Sequence, residues 1–353
     1  MILYVVRYHP ALSETFVRDE VRALRAAGVP VELAAFDTRD DIFVEPTGAP
    51  LHAQPHRAGW FAAAPTLLLE WLRRPAWVSR RVLWLAAILR RARRAHVHFA
   101  GEAAEWVRLA ATRAGVPYSV TVHAVDLYKP RPALGRVLTD ATAVVAMTTY
   151  NQALVHDRYG VTARLVRFGL DLDGFAQADP AAPGPVLCVG RAVPKKGLDL
   201  VAEVARRLGD RVHIDVISDL PPSPPLRVLG LLPHAEVRRR LAGACCFVLP
   251  CRVAPDGDMD GLPVALVEAM ASGLPVITTA VSGIPELVDE AVGWVVPTDD
   301  VDALEAALRA ALADPAERAR RGAAGRARVV ARGYGRPALV AAMRAVLEDS
   351  PRR

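Results

Sequence analysis

Cysteine and long apolar runs are both scarce in this chain of 353 residues. The chain has four cysteines, Cys188, Cys245, Cys246 and Cys251, and no C-x-x-C spacing. This pattern excludes a disulfide framework and a cysteine-based zinc site, and it favours a reducing, cytosolic compartment. No uninterrupted run reaches about 18 apolar residues, so no spanning helix is predicted. Residues 1–6 lack a charged leader and are expected to form a first strand rather than a signal peptide.

Motifs that would indicate several other functions are also missing. An early strand followed by G-x-G-x-x-G would indicate an NAD-dependent Rossmann enzyme, and the chain has no such corner. No strand end carries a D-x-D pair of acids; Asp256 and Asp258 form D-G-D in a loop, where a metal could bind but none is predicted. The net charge is +6, but the excess is local and no recognition module accompanies it. Nucleic-acid binding is therefore not predicted.

Apolar strands alternate with amphipathic helices along the chain, and 52% of the residues are hydrophobic. The expected strands are residues 2–6, 31–36, 95–99, 118–122, 140–147, 185–189, 212–217, 246–249 and 276–279. This alternation predicts an α/β fold with parallel sheets, whose ligands bind at the carboxyl ends of the strands. The length is sufficient for two such domains, each with its own core.

Two acids, Asp260 and Glu268, lie on either side of a predicted loop-to-helix junction. Residues 264–271 have a helical pattern, and Pro263 suits a first turn, where no N–H is needed. Backbone N–H groups at a helix start are unpaired and favour an anion or a polar ligand. Glu268 stands in an otherwise apolar run, so it needs a polar partner, and a ribose diol is suitable. The alternative is a pair of solvated or capping carboxylates.

A second motif joins a strand to a helix through a glycine and several cations. An apolar strand leads into Gly190, and Arg191 and Lys196 follow before the next helix. The two cations can converge on a diphosphate and neutralise the charge that develops on a leaving group. Lys195 is expected to be a solvated neighbour. The alternative is an exposed basic loop without a ligand.

A histidine, His123, directly follows the predicted strand at 118–122, and Asp126 lies three positions later. The carboxyl end of a strand is where a parallel sheet binds its ligand, which favours a functional role for this side chain. The alternative for a single histidine is a structural role.

These motifs together resemble the retaining GT-B glycosyltransferases of glycosyltransferase family four. Asp260, Glu268 and the A-M-A-S-G-L-P-V run that follows match the donor signature, with Asp260 where the family usually has glutamate. The segments at 190–197 (G-R-x-x-x-x-K-G) and 121–126 (T-x-H-x-x-D) match two further motifs. The resemblance implies two Rossmann-like, doubly wound parallel-sheet domains facing a central cleft. It also implies retention of anomeric configuration without a metal or other cofactor.

The resemblance assigns a role to each matching residue. Glu268 would hold the ribose hydroxyls, Arg191 and Lys196 the donor diphosphate, and Asp260 the donor sugar. The predicted catalytic residues are His123, Arg191, Lys196 and Asp260, and Asp126 would orient His123 or contact the acceptor. The predicted donor-binding residues are Glu268, Gly261, Leu262, Pro263, Gly190, Leu231, Ser13 and Glu14.

The same resemblance predicts the domain organisation. Residues 1–175 would form an acceptor domain and residues 183–333 a donor domain, with a helix at 335–353 packing back on the first. Residues 13–16 read S-E-T-F, which resembles the first loop of the exopolysaccharide branch of the family. The proline-rich piece at 218–227 lacks the family's G-x-G-P loop, so the nucleotide base is not predicted beyond a uridine or guanosine preference.

Residues 57–94 combine nine arginines with one acid, Glu70, and four tryptophans, Trp60, Trp71, Trp77 and Trp84. Two interpretations of this segment remain open. A basic, tryptophan-bearing amphipathic segment can lie in an anionic membrane interface, which would suit a lipid-linked acceptor. Alternatively, its apolar residues, among them Trp84 and Ile88, face a core while the arginines are solvated.

The sequence thus predicts a cytoplasmic enzyme, peripheral on the membrane if residues 57–94 bind it. It would transfer a sugar from a nucleotide sugar donor to a hydroxylated acceptor, such as a polysaccharide or lipid-linked intermediate or a small natural product. Two alternatives remain: a sugar-nucleotide epimerase of the same fold, which would act without an acceptor, and a non-enzymatic adaptor at a membrane surface.

Overall fold

The computed structural model describes residues 1–9, 15–38, 47–54, 76–209 and 212–348. Contacts divide the chain into two units. The first unit comprises Met1–Met147, Gln152–Gly169 and Arg336–Arg353, and the second comprises Thr148–Asn151 and Leu170–Gly335. The division comes at Gly169, earlier than the expected boundary at residue 175, and the last helix belongs with the first unit.

The first unit contains a seven-stranded parallel sheet with the order β3-β2-β1-β4-β5-β6-β7. Its strands are β1 (Ile2–His9), β2 (Val31–Thr38), β3 (Leu51–Ala53), β4 (Arg94–His98), β5 (Tyr118–Val122), β6 (Ala143–Ala146) and β7 (Arg164–Leu165). The order reverses between β1 and β4. Strand β1 pairs in parallel with β2 on one side and with β4 on the other, in both cases from Ile2 onward. Ligands of doubly wound sheets bind at this switch point, outside the carboxyl ends of the strands.

Helices cover both faces of the first sheet. They are α1 (Thr15–Ala26), α2 (Ala76–Leu89), α3 (Glu102–Ala114), α4 (Ala124–Tyr128), α5 (Leu134–Asp140), α6 (Thr149–Tyr159) and, at the end of the chain, α12 (Arg336–Glu348). On one face the core includes Leu85, Trp106 and Val120. On the other face, Leu24 of α1 and Met343 of α12 pack together. The last helix thus completes the core of the first unit, as burial of its apolar stripe requires.

Helix α2 decides part of the question about residues 57–94. Val82, Leu85 and Leu89 are buried in the core of the first unit, and Trp84 and Ile88 pack against it. The rest of the segment, up to residue 75, lies outside the described residues, as do Ser13 and Glu14. In the parts of the chain that the structure describes, no helix is both long and apolar enough to cross a bilayer.

The second unit contains a six-stranded parallel sheet with the order β10-β9-β8-β11-β12-β13. Its strands are β8 (Val186–Val189), β9 (Ile214–Ile217), β10 (Arg227–Val228), β11 (Cys246–Leu249), β12 (Val276–Thr279) and β13 (Gly293–Val296). Four of them (β8, β9, β11 and β12) are short apolar runs and are almost completely buried, as expected of a sheet covered on both faces. The order reverses between β8 and β11.

The helices of the second unit are α7 (Leu198–Leu208), α8 (His234–Ala242), α9 (Val264–Ala271), α10 (Val301–Ala313) and α11 (Pro315–Ala331). Helix α7 buries an i, i+3, i+4, i+7 stripe that includes Val201, Val204 and Leu208, the pattern of an amphipathic helix on a sheet. The predicted α/β class with two doubly wound parallel sheets is confirmed.

Candidate functional site

In the second unit, the loop after β8 and the loop after β11 meet at the switch point of the sheet. Lys196 comes from the first loop and Asp260 from the second, and Lys196 Nζ lies 2.7 Å from Asp260 Oδ2. The side chains of Lys196 and Asp260 are 13% and 15% exposed. An ion pair therefore bridges the two strands where a doubly wound sheet binds its ligand.

Burial and charge act in opposite directions on this pair. Burial alone would lower the pKa of Lys196, but the Asp260 carboxylate holds that pKa above its ordinary value. Burial would likewise raise the pKa of Asp260, and the ammonium groups of Lys196 and Lys195 instead keep it below its ordinary value. Both side chains are consequently charged at neutral pH.

Lys195 is the one residue of this loop whose expected environment is wrong. It was expected to be solvated, but it is buried, with a relative exposure of 9%. Its Nζ lies 3.1 Å from Asp258 Oδ1 and 3.4 Å from Asp260 Oδ1. The reason is tertiary, since both acids belong to the loop after β11. Lys195 and Lys196 together thus bind two carboxylates of the neighbouring loop.

Gly197 allows the two loops to approach. Its φ is +65°, and a Cβ at this position would collide with the carbonyl oxygen of Pro250. Only glycine avoids both the left-handed backbone cost and the clash. Gly190, at the end of β8, lies against the aliphatic stem of Lys196, and a Cβ there would be 3.5 Å from it. Gly197 is therefore required for the close approach of the two loops, whereas the contact at Gly190 is an ordinary one.

Glu268 lies on α9 with a relative exposure of 7%. Its Oε1 is 2.7 Å from His234 Nε2. Sequence reasoning identified the need for a polar partner but missed His234. The available signal was its place directly after Pro233, at the first position of α8. The carboxylate that was predicted to bind a ribose diol thus has a protein partner.

Backbone groups at the start of α9 complete this edge of the sheet. Pro263 occupies the N-cap position of the helix, and the carbonyl oxygen of Gly261 accepts a hydrogen bond from Gly283 N at 2.8 Å. Leu262, between them, is half-buried. N–H groups in the first turn of a helix attract anions.

Arg191 and Leu231 are exposed at the same edge. The side chain of Leu231 is 47% exposed, directly after Gly230 with φ +72°. Asp219 Oδ1 accepts a hydrogen bond from Ala192 N at 2.6 Å, and this bond, with the charge of Arg191, lowers the pKa of Asp219. The charge of Arg191 also acts on Lys196. Arg191 thus adds positive potential without joining the buried ion pairs.

In the first unit, His123 follows β5 and forms the N-cap of α4. Its ring stacks on Phe99, with centroids 4.1 Å apart. Asp126 Oδ2 accepts a hydrogen bond from His123 N at 2.9 Å. Burial raises the pKa of Asp126 to about 6, although backbone hydrogen bonds from His123 and Ala100 oppose this shift. The predicted pairing of His123 with Asp126 is therefore one of backbone to carboxylate.

A chain of buried polar side chains leads from His123 into the core, and the sequence analysis missed it. His123 Nε2 lies 3.2 Å from His98 Nδ1, and His98 Nε2 lies 3.3 Å from Glu20 Oε1. Tyr4 donates a hydrogen bond of 2.7 Å to the same carboxylate oxygen. The signal was the alternation of His96 and His98 in an otherwise apolar strand.

The positions of the protons in this row of hydrogen-bonded side chains follow from the residues at its two ends, His123 and Glu20. Burial, with the charge of His98 as a second cause, holds the pKa of His123 well below its ordinary value, so its imidazole is neutral. A neutral His98 that donates from Nε2 to the Glu20 carboxylate accepts at Nδ1. His123 then donates from Nε2 to His98. The arrangement selects one tautomer of each ring.

Glu20, His96 and His98 also offer ligand atoms within 4.8 Å of one another. Hydrogen bonds already account for His96, because Nδ1 lies 2.9 Å from Ser119 Oγ and Nε2 lies 3.1 Å from Thr121 Oγ1. The cluster is therefore complete as a hydrogen-bond network.

Two family models match the chain, one in its N-terminal half and the other in its C-terminal half. The model described as Glycosyltransferase Family 4 matches residues 13–173. The model described as Glycosyl transferases group 1 matches residues 184–314.

Curated relatives resemble parts of the chain. The protein named as the colanic acid biosynthesis glycosyltransferase WcaL of Salmonella typhimurium is 39% identical over 162 residues, covering 40% of each chain. A GDP-mannose-dependent alpha-(1-6)-phosphatidylinositol monomannoside mannosyltransferase of Mycolicibacterium smegmatis is 32% identical over 228 residues, covering 56% of this chain and 59% of the relative. The matched stretches span less than two thirds of these relatives.

Solved structures resemble the chain over almost its whole length. Sucrose-phosphate synthase from Thermosynechococcus elongatus has a TM-score of 0.74 at 19% identity, covering 98% of both chains. Anabaena HepE, in complex with UDP and glucose, has a TM-score of 0.78 at 16% identity, covering 99% of both chains. Likeness at these identities concerns the fold. The fold, the two family models and the sequence relatives agree, and the chain belongs to glycosyltransferase family four, with the GT-B fold.

Proposed function

We propose that the protein transfers a sugar from a nucleoside diphosphate sugar to a hydroxyl group of an acceptor, with retention of anomeric configuration. The observation that carries this proposal is the carboxyl edge of the second sheet, where the Lys196–Asp260 ion pair bridges the switch point. A diphosphate needs fixed positive charge and backbone donors, and this edge has both. The relatives named above as glycosyltransferases, and HepE with bound UDP and glucose, support it.

The roles of individual residues follow from their places at this edge. Lys196, Arg191 and the first-turn amides of α9 would stabilise the negative charge of the departing diphosphate. The ribose diol would bind Glu268 through Oε2 or by replacing the contact with His234. No protein nucleophile and no metal is assigned to the reaction.

The remaining assignments concern the two substrates. The donor would be a UDP- or GDP-linked sugar, held by Asp260, and the contact of His123 with a sugar stays a prediction. The acceptor would bind the first unit through a hydroxyl group, and it would be a polysaccharide or lipid-linked intermediate or a small natural product.

A thermal-shift screen against uridine, guanosine, adenosine and thymidine diphosphate sugars tests the donor assignment. Stabilisation of the folded state scales with ligand affinity, so a preferred nucleotide will raise Tm most. Calorimetry of the preferred ligand with Glu268→Ala should then show a loss of binding. Unchanged binding to that variant would contradict the proposed site.

Turnover with the preferred donor distinguishes the proposed reaction from its alternatives. We expect a glycoside whose anomeric coupling constants match those of the donor, in the presence of excess EDTA. Free sugar or an epimerised donor without a glycoside would instead indicate an epimerase. An inverted product would overturn the assignment of retention.

Membrane contact through residues 57–94 stays a prediction. Burial of Val82, Leu85 and Leu89 favours the core interpretation for α2. Cosedimentation with phosphatidylglycerol vesicles tests the rest of the segment, because binding to an anionic surface should weaken as salt rises. No cosedimentation at low salt would exclude this contact.

A further inference from the structure

Lysine is rare in this chain, and its placement is not random. Of 44 basic residues counted as lysine and arginine, only Lys129, Lys195 and Lys196 are lysines. Lys129 is exposed. The other two are adjacent and mostly buried at the switch point of the second sheet. In a chain that uses arginine for almost every other positive charge, two successive ammonium groups at one site indicate a specific requirement.

The requirement is one of size and charge. An ammonium group is a compact point charge, whereas a guanidinium group is planar and reaches carboxylates through a wide fork. Lys195 Nζ lies between Asp258 Oδ1 and Asp260 Oδ1, while Lys196 Nζ contacts the other oxygen of Asp260. Two positive charges face two negative charges, so the four side chains carry no net charge together.

The net charge of these four side chains determines whether Lys196 can bind a diphosphate. Without Lys195, the two carboxylates would leave the cluster with a net negative charge, and Lys196 would serve only to neutralise them. A diphosphate would then approach a negative site, which opposes its binding. With Lys195 present, the two ammonium groups balance Asp258 and Asp260, so a diphosphate that reaches Lys196 meets a neutral cluster instead of a negative one.

Lys195 also ties its loop to the neighbouring loop through the backbone. Its carbonyl oxygen accepts a hydrogen bond from Arg252 N at 3.0 Å, and Ala254 N donates to the carbonyl oxygen of Asp258 at 2.8 Å. The side chain and main chain of one residue thus hold both ends of the segment that carries Asp258. This fixes the approach of Asp260 to Lys196.

We propose that Lys195 is a positioning residue of the donor site, whose charge offsets one of the two carboxylates so that the cluster around Lys196 is neutral when Lys196 binds the diphosphate. The inference rests on the proposed function, because it assumes that the ligand is a nucleoside diphosphate. Nothing in it requires Lys195 to touch the substrate.

Calorimetry with a charge-balanced pair of variants tests the proposal. The probes are inorganic pyrophosphate and the one of UDP, GDP, ADP and dTDP that binds the wild type most tightly. Lys195→Met should raise the Kd of both probes by about tenfold or more, as expected for an uncompensated charge near an anion. Adding Asp258→Asn to Lys195→Met should bring the Kd back to within about threefold of wild type, because the cluster is neutral again.

The outcomes separate this inference from the proposed function. If the wild type binds none of the probes, the proposed function fails. If the wild type binds and Lys195→Met binds equally well, only the role of Lys195 fails. If the variant with both Lys195→Met and Asp258→Asn binds the probes no more tightly than Lys195→Met alone, the explanation by charge balance would also be overturned. Lys129→Met is the matched control, since it removes the exposed lysine, and it should leave the Kd unchanged.

Amine labelling of the unmutated protein tests the geometry independently of any variant's folding. Acetylation of the native protein, followed by mass spectrometry, compares all three lysines in one sample. Lys195 and Lys196 should react at least about tenfold more slowly than Lys129, because a buried ammonium group that contacts carboxylates is poorly accessible to the reagent. Labelling of Lys195 as fast as Lys129 would contradict its placement between the two acids.

Discussion

The candidate sites in the two units differ in the charge of their buried side chains: the second unit pairs charged groups, and the first unit contains neutral histidines. In the second unit, charges are fixed in pairs: Lys196 and Asp260 shift each other's pKa toward the charged forms. In the first unit, burial keeps His96 and His123 neutral by lowering their pKa values. A site of fixed charges suits a polyanion, whereas neutral imidazoles suit hydroxyl groups. The two units therefore differ in the kind of ligand group that their buried side chains can bind.

The largest effect should come from removing the central charge of the second unit. Lys196→Met should lower kcat/KM for the donor by about 100- to 1000-fold, the range for losing one electrostatic group at a developing anion. Steady-state kinetics with the preferred donor measures it. Lys129→Met is again the control. A decrease smaller than about threefold would mean that Lys196 serves only as the counter-ion of Asp260.

The next effect concerns pH and the first unit. The pKa of Asp126 is raised from 3.8 to about 6 by burial. The folded state then holds its proton more tightly than the unfolded state, so this group's contribution to stability is full below about pH 4 and is lost as pH rises through 6. The loss amounts to about 3 kcal/mol.

Asp126→Asn should remove this dependence, since an amide oxygen can still accept the His123 N–H but does not titrate. Hydrogen exchange of the β5 amides, followed by mass spectrometry between pH 4 and 7, measures local stability in the first unit. After correction for intrinsic exchange rates, the variant should show a flatter profile than wild type. If the variant and the wild type show the same pH dependence, a group other than Asp126 would be responsible for it.

A smaller effect is expected at the ribose position. Glu268→Gln should raise the Kd of the preferred nucleoside diphosphate by about 10- to 100-fold, because hydrogen bonds to a charged group are lost or weakened. Pyrophosphate binding should change little, since it lacks the ribose. Equal losses for both ligands would show that Glu268 acts on the phosphates or on the fold instead.

The smallest effect is expected from a change in the hydrogen-bonded network of Glu20, His98 and His123 in the first unit. Glu20→Gln releases the tautomer of His98 and, through it, that of His123, so kcat should fall by about 2- to 10-fold. The Kd of the nucleoside diphosphate should stay unchanged. Glu32→Gln is the matched control, because Glu32 also pairs with a histidine, His52, at 2.7 Å on the same sheet. Nitrogen shifts of the histidine rings would report the change of tautomer directly.

Local patterns were sufficient for much of the fold and for part of the candidate site. The predicted boundaries of α9, β5, β11 and β12 agree with the structure, because each is a run of mostly apolar residues with clear turn residues at its ends. Gly190, Lys196, Asp260 and Glu268 were identifiable because their spacing at loop-to-helix corners is itself local. Their roles in donor binding stay predictions.

Other partners could not be predicted, because they come from distant segments. Lys195 is adjacent to a predicted residue, yet its burial depends on a loop more than 60 positions later. His234 and Glu268 are 34 positions apart, and Glu20 and His98 are 78 apart. Sequence spacing carries no information about such pairs unless the order of the strands is known.

The amino-acid sequence was enough to predict the α/β class, the loop-to-helix corners that carry the candidate site and the need of Glu268 for a polar partner. These depend on periodicity, turn chemistry and the cost of an unpaired charge. The contacts of Lys195 with two acids, and the hydrogen bonds that join Glu20, His98 and His123, depend instead on the tertiary structure. Burial and low dielectric arise from packing, and they alone determine which charges are paired and which imidazoles stay neutral.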